Sequence, residues 1–284
     1  MSIQDRPFVR LWCAYEKVLT HRTYLQEAIF PFRSKPGFNI AIGFSGLASS
    51  KPFSVMAVDR VPSYDLLEKT QFLPRCRINV SGQRVDNITD WALAQFQARY
   101  PDAAVTKDGI FAYTYAALHD PVWRETYAAD LKRAFPRIML HDDFEAWRAW
   151  GETLLALHIG YETVEPWPLP RVEVPGKTAP KPILKSKPED GVIVLDTDTQ
   201  LTGVPRAAWD YRLGNRSGID WVLDQHKEKR PRDPTVAARF NTYRFADHKE
   251  RVVDLLARVV RVSVETVAIV EAMRAARTST PLAL

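Results

Sequence analysis

The 284-residue sequence predicts an α+β fold, with a β-rich N-terminal portion packed against a largely helical remainder. Three observations predict it. Residues 1–77 hold short runs of β-branched and aromatic residues bounded by Gly, Ser and Pro, as strands are. From Asp86 the apolar spacing changes from two to roughly three and a half residues, the helical period. A Pro-rich stretch then interrupts the pattern before a basic region that again reads as helix. The chain therefore divides into 1–85 (β-rich), 86–165 (helical), 166–204 (a Pro-rich linker with short strands) and 205–284 (basic and helical).

A chain of this length buries a substantial core, and 46% hydrophobic with 26% charged residues excludes a disordered or fibrous class. Lys and Arg number 39 against 34 Asp and Glu, a net charge of +5, which suits a polyanion-facing protein without requiring one. Cys13 and Cys76 have no close-spaced partner, so the sequence suggests neither a disulfide framework nor a cysteine zinc site. An apolar leader and a membrane-length apolar run are both missing from the sequence, and a cytoplasmic, membrane-free setting is the simplest expectation.

In chain order, RPFVRLWCAYEKVL reads as a strand running into a turn. FNIAIGFSG and KPFSVMAVDRV read as strands joined by a small polar connection from Ser45 to Lys51. Thr89 or Asp90 begins a first helix, Thr106 caps a second, and Asp120 caps a third whose first residue is Pro121, where a missing amide hydrogen costs nothing. Asp142 or Asp143 starts a fourth, with Gly160 in a left-handed cap at its end. Trp91, Trp123, Trp147 and Trp150 read as core. His119, His141 and His158 lack any compact ligand spacing and read as caps, core edges or surface groups.

Between Pro166 and Glu189 stand seven prolines and five Lys or Arg, which excludes continuous helix and predicts an extended segment. GVIVLDTDTQLTG reads as a short strand pair or a strand and turn, and Asp196 with Asp198 invites a Mg²⁺-nuclease reading that no Glu-x-Lys partner nearby completes. Ser217 caps a helix over about Gly218–Glu228, and two more helices flank an Asn–Thr–Tyr–Arg connection. Ser263 caps a last helix, with a frayed tail after Arg277.

The run DYRLGNRSGIDWVLDQHKEKRPRDPTVAARFNTYR combines cations, amides, hydroxyls and aromatic anchors more densely than any other stretch. The candidate contacts to a polyanion are Ser45, Ser49, Ser50 and Lys51 from the strand connection, and Arg212, Asn215, Arg216 and Ser217 at a turn entering a helix. Lys229, Arg230, Arg232, Arg239, Asn241, Arg244 and Lys249 continue the set. Arg forks onto guanine O6 and N7, Asn pairs with adenine, and Lys meets phosphate as a point charge. A solvated face held by internal ion pairs is the plain alternative.

The blocks NITDWALAQFQARY, KDGIFAYTYAALHDPVWRETYAADLKRAFPRI, WGETLLALHIGYETVEPWPL and LTGVPRAAWDYRLGNRSGIDWVLDQHKEKRPRDPTVAARFNTYRFADHKERVVDLLARVVRVSVETVAIVEAM closely resemble the C-terminal target-recognition domain of type ISP restriction–modification enzymes. RPFVRLW, IFPF and IAIGFSGLASSKPFSVMA resemble the approach to that domain. The resemblance covers nearly the whole chain. It implies sequence-specific recognition of double-stranded DNA, directing adenine methylation and cleavage carried out by an N6-adenine methyltransferase and helicase-nuclease domains in cis or in trans.

The chain has no Asn/Asp-Pro-Pro-Tyr/Phe loop, no glycine-rich strand exit and no Walker A lysine. No cofactor is therefore expected here, and S-adenosylmethionine, ATP and Mg²⁺ are expected only in the parent system. The expected mechanism is a positively charged groove holding duplex DNA, with phosphates neutralised by Lys and Arg and bases read by a few loop residues. Two rival readings are a metal-dependent nuclease using Asp196 and Asp198, and a module docking onto an acidic partner domain.

Overall fold

The computed structural model describes residues 1–16, 18–19, 24–32, 34–229, 231–240 and 243–279. The α+β class stands: among the described residues strands come in two groups, within 2–86 and 171–217, each followed by helices. Chain contacts divide it into one unit of Met1–Tyr161, Leu213–Asn215 and Ala268–Leu284, and a second of Glu162–Arg212 and Arg216–Val267.

The first unit opens with an antiparallel hairpin, β1 (Ser2–Arg6) and β2 (Val9–Trp12), followed by a short helix, α1 (Gln26–Ile29). A three-stranded antiparallel sheet contains β3 (Ala41–Phe44), β4 (Val55–Val58) and β5 (Gln71–Pro74) in the order β4-β3-β5. Every residue of β3 and β4 is buried, which explains why AIGF and VMAV are continuous apolar runs rather than alternating ones. The polar connection between these strands joins a hairpin, as the sequence predicts. A separate two-stranded ribbon follows, β6 (Cys76–Ile78) and β7 (Arg84–Asp86).

Helices α2 (Asp90–Arg99), α3 (Lys107–Ala117), α4 (Pro121–Thr126) and α5 (Phe144–Ile159) complete this part. Their N-caps are Thr89, Thr106, Asp120 and Asp143, each accepting a hydrogen bond from a first-turn amide. These residue types favour capping because their oxygens satisfy amides that have no carbonyl partner in the helix. Around α3 and α5 lies an aromatic core that includes Phe44, Tyr113, Tyr115, Trp123, Trp147 and Leu154, with Met273 contributed by the last helix.

Several expectations change here. Trp91 is 72% exposed, because α2 buries no residue and turns Leu93 and Phe96 toward the core instead. The third helix, which the sequence pattern carries through to Phe135 just before Pro136, stops at Thr126, before a 3₁₀ turn over Asp130–Lys132. Gly160 ends α5 with φ −85°, so the left-handed cap does not form. His119, His141 and His158 are all buried.

In the second unit, β8 (Arg171–Glu173), β9 (Pro182–Lys187), β10 (Val192–Asp196) and β11 (Thr199–Leu201) form an antiparallel sheet in the order β8-β11-β10-β9. Two strands of this sheet thus come from the Pro-rich stretch. Its prolines fall at strand starts and connections, and β8 and β9 are the two edges, where a missing donor is tolerated. After a small hairpin, β12 (Arg212–Leu213) and β13 (Arg216–Ser217), helix α6 (Gly218–Gln225) packs on β9.

Then come α7 (Pro234–Phe240) and α8 (Lys249–Ser279). The break expected before Ser263 is absent. Its hydroxyl donates to the Val259 carbonyl at 2.7 Å, one turn back, so a residue that resembles a cap lies inside a continuous helix.

Candidate nucleic-acid interface

Within the first unit, the Ser45–Lys51 connection is folded around one carboxylate. Glu68 Oε2 accepts from the Ser49 hydroxyl at 2.7 Å and from the amides of Ser50 and Lys51 at 2.9 and 3.1 Å. Its Oε1 accepts from the Ser50 hydroxyl at 3.0 Å. The Ser49 hydrogen bond leads in holding the Glu68 carboxyl below the usual carboxylate range.

Ser45 is buried and exchanges hydrogen bonds with Ser54, receiving its amide at 3.0 Å. Ser49 is buried as well, whereas Ser50 is exposed and Lys51 half-buried. Sequence reasoning missed Glu68. A single acidic residue in LEKTQF, seventeen positions beyond Lys51, carries no local signal.

The turn at the tip of the β12–β13 hairpin, Gly214–Asn215, belongs to this same unit. Gly214 has φ +69°, its amide donates to Ser54 Oγ at 2.6 Å, and an added Cβ would lie 3.2 Å from Lys51 Cδ. Lys51 and the exposed Asn215 therefore flank one turn that only glycine builds without strain.

The second unit holds the rest of the predicted set. Ser217 is fully buried and caps α6, accepting from the Asp220 amide at 3.1 Å while donating to Asp220 Oδ2 at 2.7 Å. Arg216 pairs with Asp224 at 2.9 Å and stands 5.0 Å over the Trp221 ring. Lys249 is bound to the buried Asp196 at 2.8 Å and to Thr199 Oγ1 at 2.5 Å.

Arg212 and Arg244 are exposed and each takes part in further interactions within the protein. Lys229, Arg232 and Arg239 are exposed and stand in no ion pair among the described residues. Arg230 and Asn241 lie outside the described residues.

Asp196 and Asp198 are both engaged within the fold. Asp196 Oδ1 accepts from the amides of Asp198 and Thr199 at 3.0 and 2.8 Å, and Asp198 Oδ2 from the Gly176 amide at 2.9 Å. Burial alone would raise Asp196, but the Lys249 ammonium and these amides hold it below its ordinary value. Among the described residues no group of three or more His, Cys, Asp or Glu side chains is arranged to hold a metal ion. Nor, among them, is any helix long and apolar enough to cross a membrane.

The type ISP C-terminal specificity domain matches residues 1–255 of this chain. The chain belongs to that family. Comparison with curated protein sequences returns no match.

Among solved structures, this specificity domain is similar to the chain in the cryo-EM structure of a DrdV–DNA complex. The identity is 48% and the TM-score 0.90, over 95% of this chain and 28% of that one. Two further chains share the fold. One is a nuclease-deletion mutant of the type ISP restriction–modification enzyme LlaGI in complex with a DNA substrate mimic, at 24% identity and TM-score 0.73, over 96% of this chain and 24% of that one. The other is the ATP-dependent type ISP restriction–modification enzyme LlaBIII bound to DNA, at 20% identity and TM-score 0.74, over 96% of this chain and 18% of that one. The domain thus spans between 18% and 28% of the chains it matches.

Proposed function

We propose that this specificity domain binds double-stranded DNA and selects the sequence on which a type ISP restriction–modification system acts. Adenine methylation and cleavage belong, in this reading, to methyltransferase and helicase-nuclease regions joined in cis or acting in trans. Those regions use S-adenosylmethionine, ATP and Mg²⁺.

The observation that carries the proposal is the 0.90 TM-score and 48% identity to a chain solved in a DNA complex. Exposed Lys229, Arg232 and Arg239, with no internal counter-charge among the described residues, support it electrostatically. They sit where cations left to solvent can meet phosphates and release counterions.

The candidate residues then divide by role. Ser45, Ser49 and Ser217, already hydrogen-bonded within the fold, shape the two turns, and Lys249 holds the end of β10. Arg216 is drawn to Asp224, and Ser50, Lys51, Arg212, Asn215, Lys229, Arg232, Arg239 and Arg244 remain for the ligand, together with Arg230 and Asn241.

Lys229→Ala and Arg232→Ala test this division. Each is expected to weaken duplex binding by a similar factor on every sequence and to lower the slope of log affinity against log salt by about one. Unchanged affinity and slope in both variants would remove this face from the interface.

A further inference from the structure

Apart from Cys76 at its root, the β6–β7 ribbon has no part in the core. From Arg77 to Asp86 not one residue is buried, and Val80 at the tip is fully exposed. A two-stranded ribbon without an apolar face is marginal by itself, yet this one is fixed at both ends. At its root, Asn39 receives the Cys76 amide at 3.2 Å and donates to the Cys76 carbonyl at 2.6 Å. Arg75 bridges Asp86 at 2.6 Å and also pairs with Asp108.

At its tip, Asn79 Oδ1 accepts from the amides of Ser81 and Gln83 at 3.0 and 2.9 Å, while its Nδ2 donates to Gln83 Oε1 at 3.3 Å. The ribbon is held stiff while Arg77, Val80 and Gln83 stay exposed.

The register sets which side chains share a face. Arg77 lies opposite Val85, and Ile78 opposite Arg84. Because side chains alternate along a strand, Arg77 and Gln83 fall on one face, while Ile78 and Arg84 fall on the other, where the Arg84 guanidinium stands 5.8 Å from the Phe38 ring. Arg77 is in no ion pair among the described residues. One face of a rigid ribbon thus offers an unpaired guanidinium and an amide, with an apolar valine and a serine at its end.

We propose that this ribbon enters a groove of duplex DNA and reads base edges, Arg77 and Gln83 being specificity-determining residues. The inference rests on the DNA-binding reading above and adds the element that discriminates. The major groove is about 12 Å wide and accepts a two-stranded ribbon, whose strands lie about 4.8 Å apart. Arg77 matches the paired acceptors of guanine, Gln83 the acceptor and donor of adenine, and Val80 the thymine methyl group.

The test begins with selection of a preferred duplex from a randomised pool by the full chain. Affinities for that duplex and for a scrambled one are then compared among the wild type, Arg77→Ala and Gln83→Ala. Each variant is expected to lose about tenfold or more on the preferred duplex and less than about threefold on the scrambled one. The sequence preference should relax at one or two positions.

Arg77→Ala removes only exposed atoms and should keep the wild-type thermal midpoint, whereas Gln83→Ala also gives up the hydrogen bond from Asn79 Nδ2 and is read beside it. An independent readout is p-benzoylphenylalanine placed at Val80, expected to crosslink to the preferred duplex on irradiation. If the wild type prefers a sequence while both variants keep that preference and Val80 does not crosslink, the ribbon proposal is overturned and the DNA reading survives. Equal losses on both duplexes would make the ribbon a phosphate contact and overturn base reading. If the wild type binds no duplex, the DNA reading itself fails.

Discussion

The Tyr115 hydroxyl joins three elements through one oxygen. It accepts from the Ala57 amide at 2.9 Å on β4, an edge strand with no further neighbour in its sheet, and it contacts His158 Nδ1 on α5 at 2.5 Å. Tyr115→Phe would remove the oxygen that the buried Ala57 amide and His158 Nδ1 both contact. Each such loss costs about 1–3 kcal/mol, so urea denaturation should show a destabilisation of about 2 kcal/mol or more.

His158 adds a pH dependence. Burial, followed by the nearby Arg124, pushes its pKa from 6.5 down to about 3. Above pH 6.5 the ring is neutral in both folded and unfolded chains. Below it the unfolded chain takes up a proton that the native state refuses, so stability falls progressively toward pH 3. The urea midpoint should therefore decline between pH 7 and pH 4, and His158→Gln should flatten that decline.

At this scale the caps at Thr89, Thr106, Asp120, Asp143 and Ser217 were legible because capping is a local contest over nearby amides. Glu68, which organises the Ser49–Lys51 turn, was not, because its partners are distant in sequence.

At the scale of elements, α3 and α5 meet backbone to backbone at Gly151 and Ala112. An ideal Cβ on Gly151 would lie 1.8 Å from the Ala112 carbonyl oxygen, a backbone atom that cannot swing aside. Gly151→Ala must push the helices apart, and overpacking of this kind costs about 1–3 kcal/mol and sometimes more. Urea denaturation should place the loss at the upper end of that range, and a change near zero would mean the helices do not meet there.

Sequence reading found the strands β3 and β4 because seven apolar residues and Gly43 flank a polar turn. It lost β8 and β9 among prolines, since edge pairing depends on β10 and β11, which follow later in the chain. It split α8 at Ser263, a residue whose hydroxyl serves a cap or an inner turn equally well. The β6–β7 ribbon passed unnoticed although Ser81–Gly82 is a turn signal, because the flanking strands are only three residues each.

For the whole molecule, the excess of five positive charges is too small to define a ligand, and arrangement carries more than sum. Arg216 and Lys249 spend their charge on Asp224 and Asp196, whereas Lys229, Arg232 and Arg239 do not. No sequence pattern separates these two groups, because ion pairing is decided by elements that meet only on folding.

The family itself was legible from long blocks of residues, and the match over residues 1–255 bears that out. The individual contacts were legible only as a list of residue types, from which geometry selects shapers and exposed cations.

Selection of duplexes from a randomised pool by the purified chain, followed by competition against scrambled DNA at two salt concentrations, tests the central claim most directly. A shared sequence should emerge, bound more tightly than its scrambled competitor at both salts, with affinity for each falling steeply as salt rises. Recovery of no common sequence, with equal and weak binding to every duplex, would contradict it.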